Sequence, residues 1–256
     1  MVHAASLILL HLLCVANALG SPIDRRAPVT SPSNPRCALD PKSAAYCAGT
    51  ARDVSASAAA LYLCGDRRLG PLELPTPIPV DSILATYDRL GGMCPGKFLE
   101  TFYDDKTGRW RYPDQRGYSV DDGGRPIKGS MTIPPGTLVD RFGAETGRFV
   151  TPAGTPYTQR ALPPDNLLTL AGNQKFPYQY RVYRVVKPIV AEIGPIAPAF
   201  GQPGQGVQCQ LQKRVSEMVA DGSMEPVNPA ILAPVDLRDR SGKAKSAAKR
   251  PRLGSN

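Results

Sequence analysis

Two arginines, two phenylalanines and a glutamine amide are gathered between Pro134 and Leu211, at turn-rich sites between runs that read as β-strands. Arg141 and Phe142 lie in Asp140-Arg-Phe-Gly143, Phe149 follows in Gly147-Arg-Phe149, and Arg160 opens Arg160-Ala-Leu-Pro-Pro164. Gln202 sits in the turn Gly201-Gln-Pro-Gly204. Guanidinium is a planar fork matched to phosphate oxygens, and an aromatic ring stacks on a flat heterocycle. The set suits an anionic molecule with a flat cationic ring, such as a dinucleotide, and is poor for acid–base proteolysis or metal chemistry. Taken singly, each residue has a commoner role: surface charge for an arginine, core for a phenylalanine in a strand, an ordinary turn for Gln-Pro-Gly. Gly204-Gln-Gly206 is not placed between a strand and a helix, so a Rossmann dinucleotide fold is not indicated.

The elements that must carry these residues are mostly strands. Leu138–Phe142, Arg148–Val150, Tyr178–Val186, Ile189–Ile193 and Gly206–Leu211 are rich in branched and aromatic residues and are bounded by Gly and Pro. A short helix over Val215–Ala220, stopped by Gly222, closes this region. Upstream, Asp81 is a candidate N-cap for a helix whose apolar face is Ile83, Leu84, Tyr87 and Leu90, ended by Gly91-Gly92. The expected fold class is α+β: a compact, β-dominated domain over 125–232, preceded by a smaller cysteine-bearing domain over 37–124.

Residues 1–20 contain no Lys, Arg, Asp or Glu, and Leu7–Val15 is apolar except for His11. This reads as a secretory signal peptide cleaved near Ala18 or Gly20. No segment reaches the roughly 18 apolar residues of a membrane-spanning helix. Residues 21–36 form a Pro/Ser-rich lead-in, a candidate propeptide, with a dibasic pair at Arg25-Arg26. Loss of the leader removes His3 and His11, the 2 histidines of the chain. That excludes Ser-His-Asp and Cys-His catalysis and His-ligated zinc. In an oxidising compartment Cys37, Cys47, Cys64 and Cys94 are expected to form two disulfides, with three connectivities open, and Cys209 to remain a buried thiol. The net charge of +9 is concentrated in a tail over 233–256: Arg238–Arg252 holds seven basic residues and one acid, leaving +3 for the rest. Such a tail reads as solvated and disordered, and no nucleic-acid partner is expected.

Taken in order, Asp140-Arg-Phe-Gly143, Gly147-Arg-Phe149, Gly154-Thr-Pro156, Arg160-Ala-Leu-Pro-Pro164, Tyr180-Arg-Val182 and Ala197–Gly204 resemble the tuberculosis necrotizing toxin (TNT) family. The layout of signal, cysteine-bearing region and this domain resembles secreted or surface NAD glycohydrolases of filamentous fungi. The resemblance implies hydrolysis of the nicotinamide–ribose bond of NAD+, and commonly of NADP+, without a required cofactor. It puts Arg141 and Gln202 at the catalytic centre, Phe142 and Phe149 against the substrate, and Arg160 on phosphate. It also implies a homodimer held partly by the N-terminal region. A structural calcium ion in some relatives makes Asp221 and Glu225 candidate ligands. Departures include Cys209, where the family more often has tyrosine, and Gln205, which interrupts what is often a run of glycines. Two alternatives share the sequence: an ADP-ribosyltransferase, with Glu145 or Glu192 as its carboxylate, and a non-enzymatic interaction protein on an inactive fold.

Overall fold

The computed structural model describes residues 36–170 and 175–233. The expected signal peptide, nearly all of the lead-in and nearly all of the basic tail lie outside the described residues, as do His3, His11 and Cys14. Three short helices occupy the N-terminal part: α1 (Ala56–Leu61), α2 (Val80–Ile83) and α3 (Pro95–Phe102). A small hairpin follows, β1 (Tyr103–Asp104) and β2 (Arg109–Trp110). Then come β3 (Gly129–Ile133), β4 (Leu138–Phe142), β5 (Phe149–Pro152), α4 (Tyr157–Arg160), β6 (Tyr180–Val185), β7 (Ile189–Pro195), β8 (Val207–Leu211), α5 (Val215–Ala220) and β9 (Met224–Val227). The larger sheet runs β3-β7-β8-β5-β4-β6-β9, with every neighbouring pair antiparallel.

Alternation along these strands assigns the two faces. Val139, Val150, Tyr183, Val185, Cys209 and Leu211 point to one face and pack against Val215 and Met218 of α5. Asp140, Phe142, Phe149, Thr151, Gln208 and Gln210 belong to the other face through the pairings Asp140↔Thr151, Phe142↔Tyr180 and Phe149↔Gln210. That second face is covered by the N-terminal part. Val80, Ile83, Leu84 and Tyr87 pack on Phe142, Tyr157, Tyr180 and Val182. Leu69, Leu90, Phe98 and Leu99 pack with Ala161, Ile196 and Phe200.

The boundary expected near residue 124 therefore does not separate two cores. Large side chains from both sides of it share the same buried clusters, whereas an independent domain has a core of its own. The expected helix over 81–90 is one turn long. Thr86, Tyr87 and Asp88 are weak helix formers, and the chain turns after Leu84, with the Tyr87 N–H donating to the Leu84 carbonyl. The apolar face is nonetheless buried at all four expected positions. The structure selects Cys37–Cys94 and Cys47–Cys64 from the three connectivities, and Cys209 is a buried free thiol. Helix α3 begins with Pro95 at its first position and buries Phe98 and Leu99, a pattern present but unread in the sequence.

Candidate functional site

A cleft of about 590 Å³ opens on the covered face of the sheet, where β4, β5 and β8 meet the Tyr112–Gly117 segment and the Arg160–Asn166 turn. Arg141, Phe142, Phe149 and Arg160 all line it, so four of the five expected site residues are brought together. A recess of about 70 Å³ shares these side chains, reaching Asp140, Thr151 and Gln208. Another cavity, of about 610 Å³, is lined largely by Pro77, Pro79, Phe176, Tyr178, Val227 and Pro229. Lys175, Arg181 and Asn228 also line it, but Arg181 is engaged by the Gly143 carbonyl and Phe176, and the cleft that gathers four arginines is the functional candidate.

Arg141 leaves the strand on the α5-side face, and the β4–β5 loop turns its guanidinium into the cleft wall. Its Nε donates to the Ala144 carbonyl at 2.8 Å and its Nη1 to the Phe149 carbonyl at 2.7 Å. Among the described residues no carboxylate forms an ion pair with it. Burial, with the nearby charge of Arg181, lowers its pKa from the usual arginine value. A guanidinium nevertheless stays charged in proteins, so the site holds a cation wanting an anion.

Arg160 departs from the expected phosphate role. It is 4% exposed, and its fork closes on Asp140, with Nη1 to Oδ1 at 2.6 Å and Nη2 to Oδ2 at 2.8 Å. Its Nε donates to the Thr155 carbonyl and its Nη1 also to Thr151. Asp140, 0% exposed, additionally accepts from Thr151 Oγ1, the Gly154 N–H and Tyr180 Oη. Two charges this deeply buried persist only when nearly every lone pair and proton is matched, and here they are. The Arg160 guanidinium lies 5.2 Å from the centre of the Phe142 ring, so the pair supports that ring from behind. Phe142 itself is buried against Tyr157 and Tyr180, whereas Phe149 is half-buried and open to the cleft.

Gln202 is not in the cleft. Its amide donates to the Asp88 carbonyl at 2.6 Å, across 114 residues, and it is 4% exposed. The turn that carries it is pressed onto the N-terminal part. Gly91 and Gly201, at φ of +58° and +69°, approach so closely that a Cβ on Gly91 would lie 2.5 Å from the Gly201 carbonyl oxygen. Two other glutamines do line the cleft, Gln208 and Gln210, and Gln208 is 8% exposed, with its Nε2 donating to the Arg116 carbonyl at 3.2 Å. Alternation with Cys209 and Leu211 puts Gln208 on the opposite face of the strand, and its burial there is visible only in the structure. Sequence reasoning also missed Tyr112, exposed at the cleft mouth, and Arg116 and Arg148, exposed on its rim.

Neither alternative carboxylate lines the cleft. Glu145 accepts from Tyr183 Oη at 2.7 Å, and Glu192 pairs with Lys128 at 3.1 Å. The calcium candidates are each held by a cation: Asp221 by Lys213 and Glu225 by Arg184, both at 2.7 Å. Among the described residues no three His, Cys, Asp or Glu side chains are grouped as a metal site, and no helix is long and apolar enough to cross a membrane.

The sheet is antiparallel, and its covered face carries a cleft lined by arginines and phenylalanines. Residues 132–227 match the model of the tuberculosis necrotizing toxin family, and the chain belongs to that family. Among individual proteins it is similar to the conidial surface nicotinamide adenine dinucleotide glycohydrolase nadA of Aspergillus fumigatus. The two are 45% identical over 163 residues, which are 63% of this chain and 69% of that protein. Matches among solved structures include tuberculosis necrotizing toxin complexed with its immunity factor IFT, at 17% identity and a TM-score of 0.41, covering 74% of this chain and 88% of that one. Rhs1-CT in complex with its cognate immunity protein RhsI1 matches at 20% identity and a TM-score of 0.29, over 45% and 83%.

Proposed function

We propose that this protein is an NAD+ glycohydrolase, cleaving the nicotinamide–ribose bond to give nicotinamide and ADP-ribose. The observation that carries this reading is the make-up of the cleft. Four arginines, two phenylalanines and the amides of Asn166, Gln208 and Gln210 line its wall, while the one acid at its recess, Asp140, is closed on Arg160. Most glycosidases need a carboxylic acid to protonate the leaving oxygen. In NAD+ the leaving group is a pyridinium, which departs neutral and needs no proton. The C–N bond breaks with its electrons going to the ring, water adds to the ribose carbon, and the water's proton passes to solvent. What is left for the protein is to bind the pyrophosphate, hold the ring and stabilise an oxocarbenium-like ribose.

In this reading Arg141 takes the pyrophosphate and Phe149 stacks on a ring of the substrate. Gln208, its Nε2 anchored on the Arg116 carbonyl, presents its amide carbonyl to a ribose hydroxyl or the incoming water. Arg160 and Asp140 position Phe142 and do not contact phosphate. Arg116 and Arg148, exposed and outside any ion pair among the described residues, favour acceptance of the additional phosphate of NADP+. The two disulfides fit a secreted protein, and the fungal relative is named for the conidial surface. The family resemblance extends the reading to a homodimer. An ADP-ribosyltransferase fits less well, because Glu145 and Glu192 are engaged elsewhere.

The test is a product analysis with purified protein and NAD+ labelled in the adenosine part. Equal amounts of nicotinamide and free ADP-ribose are expected. No nicotinamide release, or label transferred to protein, overturns the reading.

A further inference from the structure

The β4–β5 loop, Gly143–Arg148, has nearly all its backbone carbonyls engaged. The Gly143 carbonyl accepts from Arg181 Nη1 at 2.6 Å, and the Ala144 carbonyl from Arg141 Nε at 2.8 Å. The carbonyls of Glu145, Gly147 and Arg148 accept from the N–H groups of Ser216, Val215 and Leu211 at 3.0, 3.0 and 2.8 Å. The Glu145 carboxylate is tied to Tyr183 Oη at 2.7 Å and lies 3.9 Å from Arg181 Nε. Arg181, 5% exposed, also stacks 4.1 Å over Phe176. Strand β6 and the start of α5 thus clamp the loop from behind. What the loop encloses is the Arg141 guanidinium, and three of its five N–H groups have no partner among the described residues.

One residue makes this enclosure sterically possible. A Cβ on Gly147 would lie 2.0 Å from Arg141 Nη2 and 2.3 Å from Cζ. Real Cβ atoms do not approach so closely, and the loop cannot yield without breaking the bonds above. Resting on the glycohydrolase reading, we propose that Gly147 and Tyr183 are positioning residues for Arg141. They hold its free N–H edge toward the cleft as a preformed seat for a substrate phosphate. A bare guanidinium gains affinity for phosphate when its geometry is fixed before binding. The seat acts on binding and leaves the bond-breaking step, at Gln208, alone.

The experiment is a double-mutant cycle on the full chain, read by NAD+ kinetics and by calorimetric binding of ADP-ribose. Gly147→Ala is expected to raise KM and the ADP-ribose Kd together by about tenfold or more, with kcat changed less than about threefold. On an Arg141→Ala background the same substitution is expected to add little, because the group it displaces is gone. An equal effect in both backgrounds, or a fall in kcat at unchanged KM, overturns the proposal. If Gly147→Ala does not fold, Tyr183→Phe decides: it keeps the ring in the core and removes the bond to Glu145. A few-fold rise in KM, absent on the Arg141→Ala background, supports the proposal, and unchanged binding overturns it. Binding of ADP-ribose is read without turnover, so a failed seat and a failed glycohydrolase reading give different results.

Discussion

At the scale of single residues, the cleft works with groups that hold one protonation state near neutral pH. Arginine stays charged, glutamine, asparagine and phenylalanine do not titrate, and the described residues contain no histidine. The leaving pyridinium asks for no proton. The kcat profile is therefore expected to be flat from about pH 6 to 8; a limb with an apparent pKa inside that window, measured with NAD+ at saturation, contradicts a cleft free of acid–base groups. The residues that line the cleft were partly legible. Arg141 and Phe149 both line it. Gln208 was hidden because a polar residue alternating with Cys209 and Leu211 looks like the solvent side of an edge strand. Its cleft appears only when the N-terminal part covers that face. Arg160 shows the opposite case: an arginine flanked by apolar residues reads as an active-site cation, but the carboxylate that captures it stands 20 residues earlier.

At the scale of elements, Asp140 joins four of them. Its carboxylate accepts from Thr151 on β5, the Gly154 N–H in the following turn, Arg160 on α4 and Tyr180 on β6. Removing one partner of a buried ion pair leaves the other charge uncompensated, at a cost of about 3–5 kcal/mol. Asp140→Ala is accordingly expected to lose about that much stability in urea unfolding followed by circular dichroism. A loss under about 1 kcal/mol contradicts the buried network. Tyr180 has its pKa raised by burial and by Asp140, so it remains a donor to that carboxylate at any physiological pH. The strands and α5 were legible because β-branched and aromatic runs between Gly and Pro carry a local signal. Four strands were not: β1 and β2 are two residues each, too short for a pattern. β9 contains Pro226, which an edge strand tolerates, and β3 is almost wholly exposed, so its residues lack alternation. The helix expected over 81–90 is short and starts one residue earlier, with Pro79 and not Asp81 at its N-cap, and burial of Tyr87 and Leu90 comes from turns folded onto the sheet.

For the molecule as a whole, the cysteine-bearing part and the sheet form shared cores, and no division at residue 124 is visible. Local composition suggested two domains, since cysteines and small residues end where the strands begin. The contacts that merge them are long-range: Tyr87 on Tyr157, with ring centres 4.7 Å apart, Trp110 on Phe200 at 5.6 Å, and Gln202 on the Asp88 carbonyl. Gln202 thus fastens the cover onto the sheet, and Gln208 faces the cleft that the cover creates. The most direct measurement compares nicotinamide release from NAD+ by the wild type, Gln208→Ala and Gln202→Ala. Gln208→Ala is predicted to lower kcat by about 100-fold or more with little change in melting temperature. Gln202→Ala is predicted to lower the melting temperature by a few degrees, the loss of about 0.5–1.5 kcal/mol from one hydrogen bond, because the Asp88 carbonyl keeps the Gly91 N–H, while keeping kcat within about fivefold. A collapse of kcat in Gln202→Ala alongside a near-normal Gln208→Ala would place the chemistry at the other glutamine and contradict the cleft described above.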